Sequence, residues 1–336
     1  MLRKQRERKR ERERAFIENG GRVLEKLVSI CNGKPIPIRT FSFAELSKTT
    51  NNFDPQLVIR EVWPYQWCKG YLEGRTIFIK KAEDVDSKER LFTDLAISAK
   101  VSAHKNVLKL VGCCLETRNV ILVYEFAGKG TLRDLIVASN KEPLTWESRL
   151  RMAREIAHAI SYLHTAFSRP IIHTDIGLHN IFIDCHGVPK LTGFSKSLII
   201  PEGETHVRVD GHERECFWHP MREPCPYYRE TRCITEKSDV YFFGATVLKI
   251  LTGLSHHFYY RAIDNLKEAL IEFRNCAINS VVDPVIMAGE LRGAGVDQQF
   301  QAVRDLALRC LKEDPMERPT MVDATKELRR IEKFIL

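Results

Sequence analysis

Hydrophobic positions along the chain change period partway. Between Phe53 and about Phe126 the pattern favours strands: Thr76-Ile77-Phe78-Ile79 and Val120-Ile121-Leu122-Val123-Tyr124 are β-rich runs, with a helical stretch from about Ser87 to Ser102 between them. Beyond Gly130 helices dominate. Trp146, Leu150, Ala153, Ala157 and Ile160 recur at spacings of four, three, four and three, which predicts a helix from Thr145 to His164. Nearer the N-terminus, Val23, Leu24, Leu27, Val28 and Ile30 predict a short amphipathic helix outside the main domain, ending at Cys31-Asn32-Gly33 before Pro35 and Pro37. Ser42-Phe43-Ala44-Glu45 reads as a capping box, and Asn51-Asn52 closes the small helix it starts. The organisation is therefore α+β: an N-terminal extension over residues 1–52, a sheet lobe over 53–126 and a helical lobe over 127–336.

Composition narrows the picture. With 336 residues, 44% of them hydrophobic, the chain can bury a sizeable core in one large domain or two lobes. No run of roughly 20 apolar residues appears, and Leu2 excludes a myristoylation signal, so neither secretion nor membrane spanning is expected. The ten cysteines are dispersed without a C-x-x-C pair, which suits free thiols in a reducing cytosol. Residues 3–14 supply +5 of the +8 formal charge. Such a run suits contact with anionic lipid or nucleic acid, or simply a solvated helix with i,i+4 charge pairs.

The motifs then stand in a telling order. His104-Lys105-Asn106-Val107, Leu110-Val111-Gly112-Cys113-Cys114, Leu122-Val123-Tyr124-Glu125-Phe126, Tyr162-Leu163-His164, Lys237-Ser238-Asp239-Val240-Tyr241 and Asp314-Pro315-Met316-Glu317-Arg318-Pro319 together resemble a plant receptor-like protein kinase of the wall-associated-kinase-like type. The resemblance implies a bilobal protein-kinase-like fold. A working member needs a glycine turn over the ATP phosphates, a paired lysine, two metal ligands and a base.

Several of these are missing. Arg60, Val62 and Tyr65 occupy the glycine positions, with Trp63, Pro64 and Trp67 among them, and bulky side chains keep backbone amides off a triphosphate. Lys80 matches the phosphate-holding lysine, but Phe78 stands where a small residue faces adenine. The lysine's usual glutamate partner is replaced by Asp94 or, in an ungapped reading, by Leu95. Asp175 and Asn180 match the catalytic base and a metal ligand, whereas Thr174 and Gly177 replace an arginine and a lysine of the catalytic loop. The metal-binding D-F-G triplet reads Gly193-Phe194-Ser195, without its carboxylate. Cys225-Pro226-Tyr227 aligns with A-P-E and lacks the glutamate that usually pairs with the position of Arg318. The losses predict a pseudokinase with no measurable turnover and no cofactor, in which Lys80, Asp175 and Asn180 are remnants.

The basic N-terminus, the stretch Cys31 to Arg39, the aberrant glycine turn and Ala166-Phe167 are similar to one subfamily, the HopZ-ETI-deficient-related kinases, which are short plant cytoplasmic pseudokinases. That resemblance implies an adaptor or decoy in innate immunity. Its partners would be a coiled-coil nucleotide-binding leucine-rich-repeat receptor, receptor-like cytoplasmic kinases and bacterial effector enzymes such as acetyltransferases. No nucleic acid partner is expected, and membrane association would be only indirect, from a cytoplasmic location with recruitment to the plasma membrane. For the receptor, Leu24, Leu27 and Val28 form an apolar stripe preceded by Gly20; the same stripe equally suits packing on its own lobe. Candidate acyl acceptors are Thr174, Thr192, Ser195 and Thr205. Two other readings stay open. One is a weak or atypical kinase, or a nucleotide-binding regulator of another kinase, rescued by a carboxylate such as Asp94 or Asp184. The other is a Zn²⁺ site among His212, Cys216, His219, Cys225 and Cys233, whose spacing matches no closed pattern, so no metal is expected.

Overall fold

The computed structural model describes residues 2–31, 36–84, 86–137, 143–209, 225–253, 273–287 and 294–335. The chain divides into two compact units, Met1–Gly128 with Thr192–Ser197, and Lys129–Leu191 with Leu198–Leu336.

In the first unit, helix α1 (Leu2–Cys31) is followed by β1 (Arg39–Thr40), α2 (Phe43–Thr49), β2 (Val58–Val62), β3 (Tyr65–Leu72), β4 (Arg75–Ala82), α3 (Lys88–Val101), β5 (Leu110–Cys114) and β6 (Ile121–Glu125). Six strands form one sheet in the order β1-β5-β6-β4-β3-β2, antiparallel except for the parallel pair β1 and β5. β1 joins only because its partner is Gly112: a Cβ there would lie 2.2 Å from the Arg39 carbonyl oxygen. Because side chains alternate along each strand, the sheet has two different faces. One buries Cys68, Ile77, Ile79, Cys114, Ile121 and Val123 with Phe41 and Leu46 from the segment around α2. The expected capping box starts α2: Ser42 Oγ accepts from Glu45 N–H while Glu45 accepts from the Ser42 backbone, and Asn51 and Asn52 follow at positive φ.

Residues 1–52 are not a separate extension, and the first helix is not short. α1 runs for 30 residues and packs along α3. Asn19, Val23, Ile30 and Cys31 are buried, and Asn19 Nδ2 donates to the Leu115 and Thr117 carbonyls at 2.9 and 2.8 Å. The charged run continues the same helix, exposed and with a Lys9–Glu13 pair at 3.9 Å. Straight-chain Arg, Lys and Glu are good helix formers, so it propagates from the packed half.

The second unit is built on helices: α4 (Leu132–Val137), α5 (Trp146–Thr165), α6 (Pro226–Thr231), α7 (Glu236–Thr252), α8 (Ile278–Val281), α9 (Pro284–Met287), α10 (Ala294–Cys310) and α11 (Met321–Glu332). α5 begins at the Thr145 cap and buries Trp146, Leu150, Ala153, Ala157 and Ile160, the predicted stripe. α5 packs on α11 and α7 on α10. Gly244 permits the second contact, since a Cβ would lie 2.7 Å from that of Cys310. Arg149 pairs with Asp283 at 2.7 Å in the interior and donates to the Ile250 carbonyl. β7 (Ile171–Ile172), β8 (Ile181–Ile183), β9 (Pro189–Leu191) and β10 (Leu198–Ile199) make two small ladders, β7 with β10 and β8 with β9.

The described cysteines are all free thiols. Burial pushes the Cys113 and Cys310 thiols up to about 12 and that of Cys114 up to about 11, so they stay protonated and unreactive at neutral pH. Cys185 is exposed. Thiol-directed alkylation followed by peptide mapping should therefore mark Cys185 in the folded protein and Cys113, Cys114 and Cys310 only after denaturation; rapid native labelling of Cys113 would contradict the packing.

Candidate functional site

On the second face of the sheet, β3 and β4 pair in a register that sets Trp67 opposite Lys80 and Tyr65 opposite Ala82. Alternation then puts Tyr65, Trp67, Phe78 and Lys80 on one side, joined by Tyr124 of β6. Trp67 lies 5.4 Å from Tyr124 and 6.1 Å from Phe78, and Phe78 packs its edge 4.8 Å from Phe126. Phe78 is fully buried in this aromatic cluster.

Lys80 is the charged centre of the cluster. Its Nζ lies 2.5 Å from Asp94 Oδ2, 4.0 Å from the Tyr65 ring centroid and 5.5 Å from that of Trp67, leaving the residue 2% exposed. Asp94, not Leu95, thus meets the lysine. The carboxylate is saturated: its Oδ1 also accepts from Ser98 Oγ, Tyr124 Oη and the Phe194 backbone N–H at 3.2–3.3 Å. Burial first, and then the Asp94 charge, hold the Tyr124 phenol well above its ordinary range, so it remains a donor. Tyr65 Oη is buried and has no partner among the described residues.

The glycine turn is a two-residue hairpin. Val62 pairs with Tyr65 across Trp63-Pro64, so Pro64, without an N–H, sits at the tip and Trp63 points to solvent, 78% exposed. Arg60 lies within β2 opposite Trp67. Gly193 adopts a left-handed conformation, φ 88°, ahead of a single 3₁₀ turn at Phe194–Lys196, and Phe194 is buried. No carboxylate stands in this triplet.

The second unit carries the residues of the catalytic loop. Asn180 Nδ2 donates to both the carbonyl and the carboxylate of Asp175, at 2.8 and 3.0 Å, so these two residues bind each other. Thr174 sits at φ 65°, an uncommon place for a β-branched residue. It is held there by Asp239, which accepts from the Thr174 and His173 N–H groups at 2.8 Å and lies 2.9 Å from His164 Nε2. Gly177, at φ 179°, has extended backbone ahead of the turn at Leu178–Asn180. Arg318 is buried with no carboxylate partner among the described residues: it donates to the Lys237, Lys312 and Glu313 carbonyls and to Cys225 Sγ at 3.1 Å. The Cys225 sulfur is thus one of four acceptors around the guanidinium.

Of the candidate acyl acceptors, Thr174, Thr192 and Ser195 are buried and only Thr205 is exposed. Buried hydroxyls in the folded chain are out of reach of a modifying enzyme, which the sequence alone does not reveal. His212, Cys216 and His219 lie outside the described residues. Among the described residues no three His, Cys, Asp or Glu side chains are grouped to hold a metal ion.

The stripe of Leu24, Leu27 and Val28 is divided between the two faces of α1. Leu24 and Val28 are 61% and 53% exposed, but Leu27 is half-buried, and a Cβ on Gly20 would touch Leu115 of the protein's own body. The outward row is instead Ile17, Gly21, Leu24 and Val28, at spacings of four, three and four, with Ile17 74% exposed and open space around Gly21. A heptad pattern was the available signal: Val23 and Ile30 mark the inner face, Ile17 and Leu24 the outer.

Comparison with known proteins agrees with this geometry. Residues 60–328 match the model of the protein tyrosine and serine/threonine kinase family, so the chain belongs to the protein kinases. Within them it is a member of the ZED1-related kinases. It is 37% identical over 333 residues to the Serine/threonine-protein kinase ZRK1 of Arabidopsis thaliana, covering 95% of this chain and 92% of that protein. To the Non-functional pseudokinase ZRK2 of the same plant the figures are 35% over 343 residues, 98% and 93%, and to the Non-functional pseudokinase ZED1 36% over 339 residues, 95% and 96%. The subfamily resemblance and the kinase fold are thus borne out. The relatives carry both kinds of name, so membership leaves activity to be read from the residues.

Lys80→Met should leave Asp94 charged and unpaired in the interior and destabilise the protein by about 3–5 kcal/mol. Adding Asp94→Leu should recover most of that loss in denaturant unfolding. A Lys80→Met protein as stable as the wild type would show that the pair does not hold the unit together.

Proposed function

We propose that this chain works as an adaptor and decoy in plant innate immunity rather than as a phosphotransferase. In this reading it docks on a coiled-coil nucleotide-binding leucine-rich-repeat receptor through the outer row of α1. It senses bacterial effector enzymes on itself or through a companion receptor-like cytoplasmic kinase. It acts in the cytoplasm and reaches the plasma membrane through its partners; no described helix is long and apolar enough to cross a membrane.

One observation carries the non-catalytic half of the reading. The Lys80 ammonium, which would hold the phosphates, is closed in by Asp94, Tyr65 and Trp67. Mg²⁺–ATP also fits the remaining residues poorly. Gly193 supplies no carboxylate, Phe78 adds a benzyl group to the sheet face that would meet adenine, and Pro64 supplies no amide. Lost metal and phosphate contacts act on the same transition-state charge, where each 1.36 kcal/mol is worth about tenfold in rate. A weak kinase is the second reading, favoured by the retained Lys80, Asp175 and Asn180 and by relatives named as kinases, ZRK1 and ZRK4 among them.

Radiolabelled ATP with Mg²⁺ or Mn²⁺ and a general protein substrate should give no phosphate transfer above that of an Asp175→Ala control; transfer abolished by that substitution would establish the weak kinase. For the adaptor, Ile17→Asp with Leu24→Asp should abolish pull-down of the receptor's repeat domain while leaving thermal stability unchanged, because both side chains are exposed. Undiminished pull-down would remove the α1 face from the interface.

A further inference from the structure

Helix α1 also has an inner flank, and the surface beside it is hollowed on both sides of Arg12. One hollow, of about 380 Å³, is lined by Arg8, Arg12, Arg14, Lys88 and Arg118 together with Glu11, Glu18 and Glu116. The other, of about 510 Å³, is lined by Arg12, Phe43, Ser47, Lys48, Asn51 and Asn52, with no carboxylate at all. Both belong to the first unit.

The charges in this double hollow do not cancel. Glu18 is held by Lys88 at 2.5 Å, and Glu116 accepts the Phe43 backbone N–H at 2.9 Å. Arg8, Arg12, Lys48 and Arg118 form no ion pair among the described residues. Arg12 is fixed another way, with its guanidinium 4.8 Å over the Phe43 ring, which itself stacks 5.9 Å from Phe53. A guanidinium held by its face keeps its in-plane N–H groups for oxygen acceptors, the geometry that suits phosphate.

We infer that this double hollow binds a small polyanion bearing several phosphate groups, an inositol polyphosphate or the chemically equivalent headgroup of a polyphosphoinositide. Phosphates on opposite sides of one ring would reach Arg8 and Arg118 in the first hollow and Lys48 in the second, with Arg12 between them. The volumes lie in the range of about 300–1,000 Å³ usual for small-ligand sites. Five cations against three carboxylates in the first hollow, with Lys48 added in the second, leave a net repulsion that a polyanion removes. The site is distinct from the outer row of α1: Arg12 lies about 140° around the helix from Ile17, whereas Arg3 and Arg10 fall on the side of Ile17.

The test is calorimetric titration of the full-length protein with inositol hexakisphosphate at about 0.15 M salt, where longer-range surface attraction is screened. Saturable one-to-one binding is expected. Arg12→Glu with Arg118→Glu should weaken it by at least about tenfold, the loss of one strong charge-assisted contact. The charge-matched control, Arg3→Glu with Arg10→Glu, should change it by less than about threefold. All four side chains are exposed, and thermal unfolding checks that both variants fold. A parallel flotation assay uses phosphatidylcholine vesicles with and without phosphatidylinositol 4,5-bisphosphate: binding that soluble hexakisphosphate competes away places the headgroup in the same hollow. No saturable binding, equal losses in the two variants, or binding to vesicles without any to the soluble polyanion would each overturn the inference.

Discussion

The buried pair between Lys80 and Asp94 is the interaction on which the first unit turns. Two opposite charges taken out of water must compensate each other, and the carboxylate must have its remaining lone pairs filled. Ser98, Tyr124 and the Phe194 N–H fill them, so a single carboxylate ties together β4, α3, β6 and the Thr192–Ser197 segment. The aromatic rings of Tyr65 and Trp67 close the remaining side and add cation–π attraction. The enclosure leaves Lys80 2% exposed, so a phosphate approaching it would have to displace rings rather than water.

The substitutions that remove ligand chemistry and those that preserve the scaffold follow one logic. Groups that hold backbone in place persist: Asp239 secures the strained Thr174, and Asp175 and Asn180 hold each other. Arg318 stays buried because three carbonyls and the Cys225 sulfur accept its N–H groups. On the second face of the sheet, Tyr65, Trp67 and Phe78 gather around Lys80 with Tyr124, while Gly193 simply lacks a carboxylate. Packing and catalysis are separable because they draw on different sides of the same elements.

This division explains what was legible in the sequence. Repeating apolar spacing located α5, and β-rich runs located β4 and β6, because burial on a regular element leaves a period. The placement of Lys80 and the absence of a carboxylate at Gly193 followed from motif order alone. The choice between Asp94 and Leu95 did not, since one residue of gap decides it and only the turn of α3 shows which side chain faces the sheet. The full length of α1 was hidden because an all-polar run has no apolar period to mark it as helix. The outward face of α1 was not legible because two interleaved heptads, Val23 with Ile30 and Ile17 with Leu24, differ only in which one the body covers. Burial of Thr192 and Ser195 likewise depends on packing that no local pattern encodes.

Titration with ATP, in the presence and absence of Mg²⁺, asks whether Lys80 serves the fold or a nucleotide. A lysine committed to the fold gives no saturable binding at millimolar nucleotide in either case. Mg²⁺-dependent binding that disappears in an Asn180→Ala protein of unchanged stability would contradict it.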